Sequence, residues 1–514
     1  MLWCIMPELS LCIGLILIIL YGLFSLSMST KVSTDSGFTN LNPNQAVAWS
    51  AVPGLRPGAG GVYSRGSAAM VNLHLNDVYF FSRLWPLMLL LGYIVDFPLL
   101  SDYVLGLGTN TLSNGTSLTA LAYPYNNGID VLLIVLTVII MQSFKSFESV
   151  LLLLLAFVGQ LFMLHSCDLV SFYICLEAQN FCFLVLCGLQ PRVMKHSASR
   201  GSSSLAGVEA SIKYLLLSAF SSGVLLFWFS ALYLQTGLTT LSWGPLTATP
   251  FDSNYHTFME VIPQMLILIA LMFKLGGAPL HLWMVDIYSG VKRQLLMYLS
   301  TAPKLSLFGF WVGTWHSVWT DFTVLLFVAL SMIIGCFGAY NQPTLRALFA
   351  YSTINEIGLM LMALETAGFH SLFQHLSIYI VSMLLLWNNS DKRFFSVLAV
   401  SLAGMPPFAG FFGKAWIFNS VATGAMAGPY LGVLLISLFC TALSLVYYLR
   451  VFRLFTMSDN SASITNRTLH NISNMGIETR TYCSTLLDAQ IKLTSFCVIF
   501  LVFAPLFYIK PFVL

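Results

Sequence analysis

Charge is what this sequence has least of. Only 8% of its 514 residues are Asp, Glu, Lys or Arg, against 57% hydrophobic, and mean hydropathy is +0.82. A soluble domain of that length needs far more charge to wet its surface, so a soluble globular class is excluded. The net charge of +3 is too small to point to nucleic acid, and none is expected as a partner. Paired cysteines are also missing. Ten cysteines are scattered without a CxxC or CxxH spacing, which argues against a zinc or iron–sulfur site. Cys175, Cys182, Cys187, Cys336 and Cys440 lie in apolar runs and read as small buried hydrophobes. The glycines of VPGLRPGAGGVYSRGS do not make GxGxxG and have no strand–helix context. With no nucleotide fingerprint and no cluster spacing, the energy for any transport must arrive from elsewhere.

What is present is the bilayer pattern. Apolar runs of about 18 residues or more recur throughout, the signature of repeated membrane helices. The N-terminal MLWCIMPELS lacks a basic region and a cleavage site, so it reads as the start of the first span and not as a signal peptide. We place fourteen spans at about 9–28, 79–100, 129–143, 148–165, 168–190, 209–234, 260–288, 292–313, 321–339, 344–365, 369–387, 393–422, 429–455 and 491–509. Basic residues test that count. The loops after odd-numbered spans carry Lys31, Arg56, Arg65 and Arg83; Lys145; Arg192, Lys195 and Arg200; Lys292 and Arg293; Arg346; Lys392 and Arg393; and Arg450, Arg453, Arg467, Arg480 and Lys492. The loops after even-numbered spans carry none. Inner loops accumulate Lys and Arg, so the odd loops are expected inside and both termini outside. Asn466 and Asn471 sit in sequons that would then lie on the inner face, unmodified.

Four lysines fall inside spans: Lys213, Lys274, Lys304 and Lys414, joined mid-span by Glu177 and Glu356. A charge near the bilayer centre costs about 2.5–3.5 kcal/mol on insertion scales, so these groups must meet partners or water. Lys213 has a plainer alternative, an i,i+4 pair with Glu209 while snorkelling towards the inner face. Lys274 precedes Gly276, Gly277 and Pro279, and Lys414 follows Gly404, Pro406, Pro407 and Gly410. Such breaks free backbone groups that lipid cannot satisfy. Broken helices at matching places in two halves point to an inverted-repeat transporter. The expected fold is therefore an all-α polytopic membrane protein with two inverted five-helix repeats, spans four to eight and nine to thirteen, broken in spans seven and twelve. The domains follow: 1–147 with a polar insertion at 29–78, a first repeat at 148–313, a second at 321–455, and an inner loop with the last span at 456–514. Glu177 then corresponds to Glu356, and Lys274 to Lys414.

These residue types suit proton transfer. A dry site penalises the charged form of an amine and brings it into exchange range near neutrality, while a nearby carboxylate opposes that. His281, two residues after Pro279, suits a relay position; His165, His316, His370 and His375 are assigned no role.

The segments LEAQN, VEASIKYLLLSAF, FKLGGAPLHLWMVDIYSG, STAPKLSLFG, LRALFAYSTINEIGLMLMAL and SLAGMPPFAGFFGKAW together resemble the NADH dehydrogenase subunit 2 family of respiratory complex I, an antiporter-like subunit. The likeness runs from about Glu148 to Arg453. It implies proton translocation through half-channels joined by Glu177, Lys213, Lys274, His281, Lys304, Glu356 and Lys414, coupled to electron transfer from NADH to quinone. It implies no cofactor in this chain, with NAD, FMN, iron–sulfur clusters and ubiquinone in other subunits. Expected partners are other membrane-arm subunits, neighbouring antiporter-like ones included, and lipids. Extreme hydrophobicity without a targeting segment fits the mitochondrial inner membrane; a bacterial inner membrane fits the same physics. Departures from the family are GVKRQLL after span seven, Glu356 where a histidine is often found, the short NNSDKRFF loop and the expanded 29–78. Two other functions compete: a cation/proton antiporter without NADH oxidation, and a structural subunit that has lost pumping.

Overall fold

The computed structural model describes Ile16, residues 117–144, 147–166, 168–189, 202–237, Thr239, 254–312, 321–388, 392–406, 408–424 and 428–456. Spans one (Ile16 apart), two and fourteen, the insertion 29–78 and the 457–490 loop with its two sequons lie outside the described residues.

Within them the chain is helical: α1 (Ser117–Met141), α2 (Phe147–Leu164), α3 (Leu169–Leu189), α4 (Ser202–Thr236), α5 (Asn254–Leu275), α6 (Leu282–Gly290), α7 (Arg293–Phe310), α8 (Asp321–Asn341), α9 (Leu345–Glu365), α10 (Phe369–Asn388), α11 (Lys392–Ala403), α12 (Ala409–Gly424) and α13 (Gly428–Thr456). Spans three to thirteen each fall on helix, spans seven and twelve as two pieces. Six of these helices are long and apolar enough to cross a membrane. Helix is the form these runs must take, because lipid offers no partner to a backbone amide. Two starts differ from expectation: α1 begins at Ser117, well before the apolar run at 129, and α4 begins at Ser202, inside the polar 191–205 loop. Hydropathy locates the part of a helix that meets lipid, whereas hydrogen bonding carries the helix beyond it.

The centre of the bundle is α9. Its apolar span is 94% buried, against 33% for α4 and 22% for α13, which therefore lie at the periphery. Small residues let α9 lie close to α8: a Cβ on Gly335 would sit 2.6 Å from the Asn355 backbone nitrogen, and one on Gly358 2.5 Å from Ser331 Oγ. In lipid, where no hydrophobic force separates helix from solvent, such close backbone approach is what holds helices together.

Both breaks are built alike. At the end of α5, Gly276 (φ +79°) turns left-handed, its amide bonds Phe273 O at 3.1 Å and the Gly277 amide bonds Met272 O at 2.9 Å. At the end of α11, Gly404 (φ +81°) repeats the turn, with Gly404 N to Ser401 O at 3.0 Å and Met405 N to Val400 O at 3.4 Å. These are the two crossed bonds of a Schellman cap, which needs a residue without a Cβ penalty at positive φ. After the first break, Trp283 of α6 donates its indole N–H back to Phe273 O at 2.8 Å. The far end of α6 is held by Arg346 of α9, whose guanidinium donates to Tyr288 O at 3.3 Å and Val291 O at 2.6 Å.

Gly335→Ala should cost about 1–3 kcal/mol through overpacking against α9, read as less assembled subunit on a native gel. Gly223→Ala, with nothing within 4 Å of the new Cβ, should assemble as well as the unsubstituted chain.

Candidate functional site

Six of the seven residues singled out from the sequence are held inside the bundle. Lys274, in the last turn of α5, brings Nζ 3.3 Å from Glu177 Oε1 on α3 and donates to the Ser218 carbonyl of α4 at 3.3 Å. Glu177 is steadied from its own helix, since Asn180 Nδ2 donates to the same Oε1 at 3.0 Å, and Tyr214 donates its hydroxyl to Asn180 Oδ1 at 3.2 Å. The carboxylate thus meets a cation and a neutral donor, the pairing a buried charge requires.

Lys304 stands on α7 just after Pro303. Its side chain is buried and Nζ donates to the Tyr379 hydroxyl of α10 at 2.7 Å, 4.8 Å from the ring centroid. The Tyr379 hydroxyl in turn donates to Ser300 O at 3.4 Å. A cavity of about 30 Å³ reaches both Lys274 and Lys304, walled also by Asn180, Ser218, Trp283 and Pro303. A water needs roughly 10–15 Å³ on that measure, so two waters fit. Pro303 has no amide to give the Leu299 carbonyl, and both residues line the space.

The second pair forms on the other broken helix. Lys414 Nζ lies 3.1 Å from Glu356 Oε1, with the two side chains 7% and 4% exposed, and donates to Leu402 O at 3.0 Å. Lys274 itself occupies the place in the first break that Leu402 holds in the second, two residues before the left-handed glycine. Each broken helix therefore offers one lysine to the glutamate of an unbroken helix, from opposite sides of the break. Each ammonium also sits at a helix C-terminus, where the peptide dipoles favour a cation.

Lys213 and His281 stand apart from the two pairs. Lys213 does not join the buried series. Its side chain is 42% exposed and pairs with Glu209 at 2.8 Å, one turn back on α4, and with Asp286 of α6 at 3.2 Å. The i,i+4 alternative describes it, at the half-exposed edge where α4 meets α6. His281 is buried at the start of α6, but its contacts belong to the break: Nδ1 lies 3.2 Å from Pro279 O, and its ring 5.6 Å from Tyr351. His375, given no role from the sequence, is the residue that reading missed. Its Nε2 lies 2.9 Å from Glu356 Oε2, both side chains 4% exposed, so one carboxylate serves two bases. Tyr379 and Asn180 were missed as well. No sequence signal separates a buried histidine that meets a carboxylate from one that meets none.

A family model described as NADH:quinone oxidoreductase/Mrp antiporter, transmembrane region, matches residues 166–390, the stretch that holds Glu177, Lys274, Lys304 and Glu356. NADH-ubiquinone oxidoreductase chain 2 of Chlamydomonas reinhardtii is 51% identical over 387 residues, covering 75% of this chain and 87% of that protein. The chain belongs to the NADH-ubiquinone oxidoreductase chain 2 family. NADH-quinone oxidoreductase subunit N 1 of Acidiphilium cryptum, 31% identical over 60% of this chain and 68% of its own length, is similar in the same way. The fold is that of a chain in respiratory complex I from Thermus thermophilus with bound aureothin: TM-score 0.61, 21% identity, 84% of this chain and 93% of that one. A chain of the Mrp complex from Dietzia shares the fold at TM-score 0.57 and 18% identity, over 76% and 77% of the two chains. Chain 2 and subunit N relatives thus carry the likeness along most of the sequence, and the fold is shared by complex I and Mrp chains alike.

Removing the shared carboxylate tests the second pair within this family member. Glu356→Ala leaves two buried bases without their anion, a loss of about 3–5 kcal/mol for a buried pair broken on one side. The amount of assembled complex should fall sharply, and Glu356→Leu combined with Lys414→Met should recover most of it.

Proposed function

We infer that this chain is a proton-translocating membrane-arm subunit of NADH:ubiquinone oxidoreductase, moving protons while other subunits pass electrons from NADH to quinone. Chain 2 kinship supports the assignment to the complex. The observation that carries the mechanism is the cavity lined by Lys274 and Lys304, with Lys274 paired to Glu177 at its wall and a second pair, Lys414 with Glu356, on the other broken helix. A proton on Lys274 is held while Glu177 stays at 3.3 Å. When that carboxylate draws off, the ammonium loses its compensating charge and yields its proton through water to Lys304. Glu356 plays the same part for Lys414. Proton transfer of this kind needs groups within hydrogen-bond reach directly or through one water, and two waters fit between the lysines.

The reading extends to topology. Fourteen spans, with 148–313 and 321–455 as two repeats of inverted sense, are supported by the like-built breaks and the like-formed ion pairs. Segments 1–147 and 456–514 would flank them. Alternation of Lys and Arg between loops supports both termini on the intermembrane-space side of a mitochondrial inner membrane. NAD, FMN, iron–sulfur clusters and ubiquinone would belong to other subunits, and the partners of this chain would be neighbouring membrane-arm subunits and lipid. Lys213, with Glu209 and Asp286, would serve as an entry group at the edge of the bundle, and His281 would keep the break in register beside the cavity. A cation/proton antiporter is the less supported reading, because the relatives at 51% and 31% identity are NADH-ubiquinone and NADH-quinone oxidoreductase subunits.

Lys274→Met and Lys304→Met, each in the intact complex, should leave NADH oxidation visible on an activity-stained native gel. Both should lower proton uptake per NADH in sealed vesicles by about half or more, given the 10²–10⁴-fold worth of a proton-transfer group. Wild-type uptake in both variants would sink the route.

A further inference from the structure

The lysine route runs through the interior, whereas the outer surface of α8 and α13 carries a feature of another kind. The two helices touch where the Cys336 thiol donates to Cys440 O at 3.3 Å. Where α8 ends, at Asn341, Arg450 of α13 reaches across to it. Its Nη1 donates to Tyr340 O at 3.3 Å, and its Cζ stands 5.1 Å from the centre of the Tyr340 ring. That carbonyl is one of the last four of α8, which the helix itself leaves unpaired, so the arginine acts in part as a cap. A cap uses one donor. The guanidinium has five, Arg450 is exposed, and the Tyr340 carbonyl and ring are both neutral.

Apolar rows lead away from this contact. Phe337 and Ile333, three and seven residues back, share the face of α8 that carries Tyr340; Val446 and Phe439, four and eleven residues back, share the face of α13 that carries Arg450. All four are exposed. Eleven residues of helix rise about 16 Å, and one leaflet of the hydrocarbon core is about 15 Å deep. Phe439 therefore lies about one acyl-chain length below Arg450. In the other direction Arg453, also exposed, follows one turn beyond Arg450. An exposed, pre-placed guanidinium above two rows of exposed apolar side chains fits an anionic group joined to long hydrocarbon chains. Charge favours that occupant over an apolar helix of a neighbouring subunit, which would cover the rows and give the arginine no anion.

We propose that the α8–α13 face is a binding site for one anionic phospholipid, with its phosphate on Arg450 and its acyl chains along Phe337, Ile333, Val446 and Phe439. Tyr340 is the positioning residue. Its ring and carbonyl fix the plane of the guanidinium before the lipid arrives, which lowers the ordering cost of binding. A planar guanidinium offers two parallel N–H groups to a phosphate, a geometry that a lysine ammonium lacks. Arg453 adds positive charge on the same face. A lipid seated there touches both helices, and so fastens the peripheral α13 to α8 and through it to α9. The inference goes beyond the lysine route and does not depend on it.

The test is photolabelling of the assembled complex in phosphatidylcholine vesicles. One sample is doped with phosphatidylglycerol carrying a photoreactive acyl chain, a parallel one with phosphatidylcholine carrying the same chain, and labelled peptides are identified by mass spectrometry. In the wild type, the α8 and α13 peptides are expected to take several-fold more label from the anionic lipid. Arg450→Gln should lower that anionic labelling about five-fold, the worth of one arginine at a membrane surface, and Arg450→Lys should recover only part of it. Lys304→Met should label as the wild type does, which keeps this site separate from the proton route. Equal labelling by the two lipids, or anionic labelling unchanged in Arg450→Gln, would overturn the proposal. Absence of label from both helices in the intact complex would overturn it too, and would mean that a neighbouring subunit covers the face. Should Arg450→Gln fail to assemble, Tyr340→Leu decides: it keeps the cation but removes its seat, so anionic labelling at the wild-type level defeats the proposal.

Discussion

A charge inside a bilayer must be answered by something fixed close to it. Bulk water is out of reach, and lipid has nothing to offer. Every unusual feature of this bundle follows from that constraint. Lys274 is answered by Glu177 and a backbone carbonyl, Lys414 by Glu356 and another carbonyl, and Lys304 by a tyrosine hydroxyl and the face of its ring. The carbonyls near Lys414 are available because α11 stops short, and α5 stops short just beyond Lys274. A continuous helix would have consumed those acceptors in its own ladder. At Lys414 the interruption makes the polar ground on which a buried ammonium can stand, whereas Lys274 takes its carbonyl, Ser218 O, from the unbroken α4.

The same constraint shapes the centre of the molecule. α9 is the most enclosed of the membrane-length helices described, and it holds both halves at once. Near its start Arg346 grips the end of α6, the half-helix that walls the Lys274–Lys304 cavity with Trp283 and Met284. Farther along, Glu356 receives Lys414 and His375. Glycines at 335, 338 and 358 press α8 against it so closely that backbone meets backbone or ring. In a dense interior such contacts do not bend gradually. A shift of α9 would therefore be felt directly at the Glu356–Lys414 pair and, through α6, at the wall of the Lys274–Lys304 cavity.

How much of this lay open in the sequence depended on whether a feature breaks a rule of the bilayer. Lys274, Lys304, Lys414, Glu177 and Glu356 stood out because each costs about 2.5–3.5 kcal/mol to insert. Gly276 and Gly404, with their prolines, stood out because they interrupt otherwise unbroken helix. Depth along the chain was therefore legible. Direction around the helix was not: these helices are apolar on all sides, so no periodicity tells which face looks inward. That is why Lys213, at a plausible depth, turns out at the half-exposed edge where α4 meets α6, with Asp286. His375 and Tyr379 broke no rule at all, since a neutral imidazole or a phenol inside a helix is cheap to place. Their importance is a property of neighbours 19 and 75 residues away in sequence, Glu356 and Lys304.

That difference bears on how the subunit can conduct without leaking. A row of like charges at close spacing would repel and would also hydrate, opening a wire for protons at all times. Here the three buried amines are separated by unlike elements: a small cavity between the first two, and Tyr379 and His375 of α10 between the second and third. On the proposed route each segment would be silent until its flanking ion pair loosens. The glutamates set that timing, because each is bound to a base that it must partly release before the next amine can fill. On the proposed route the bundle is closed at rest, with Glu177 and Glu356 each holding a lysine.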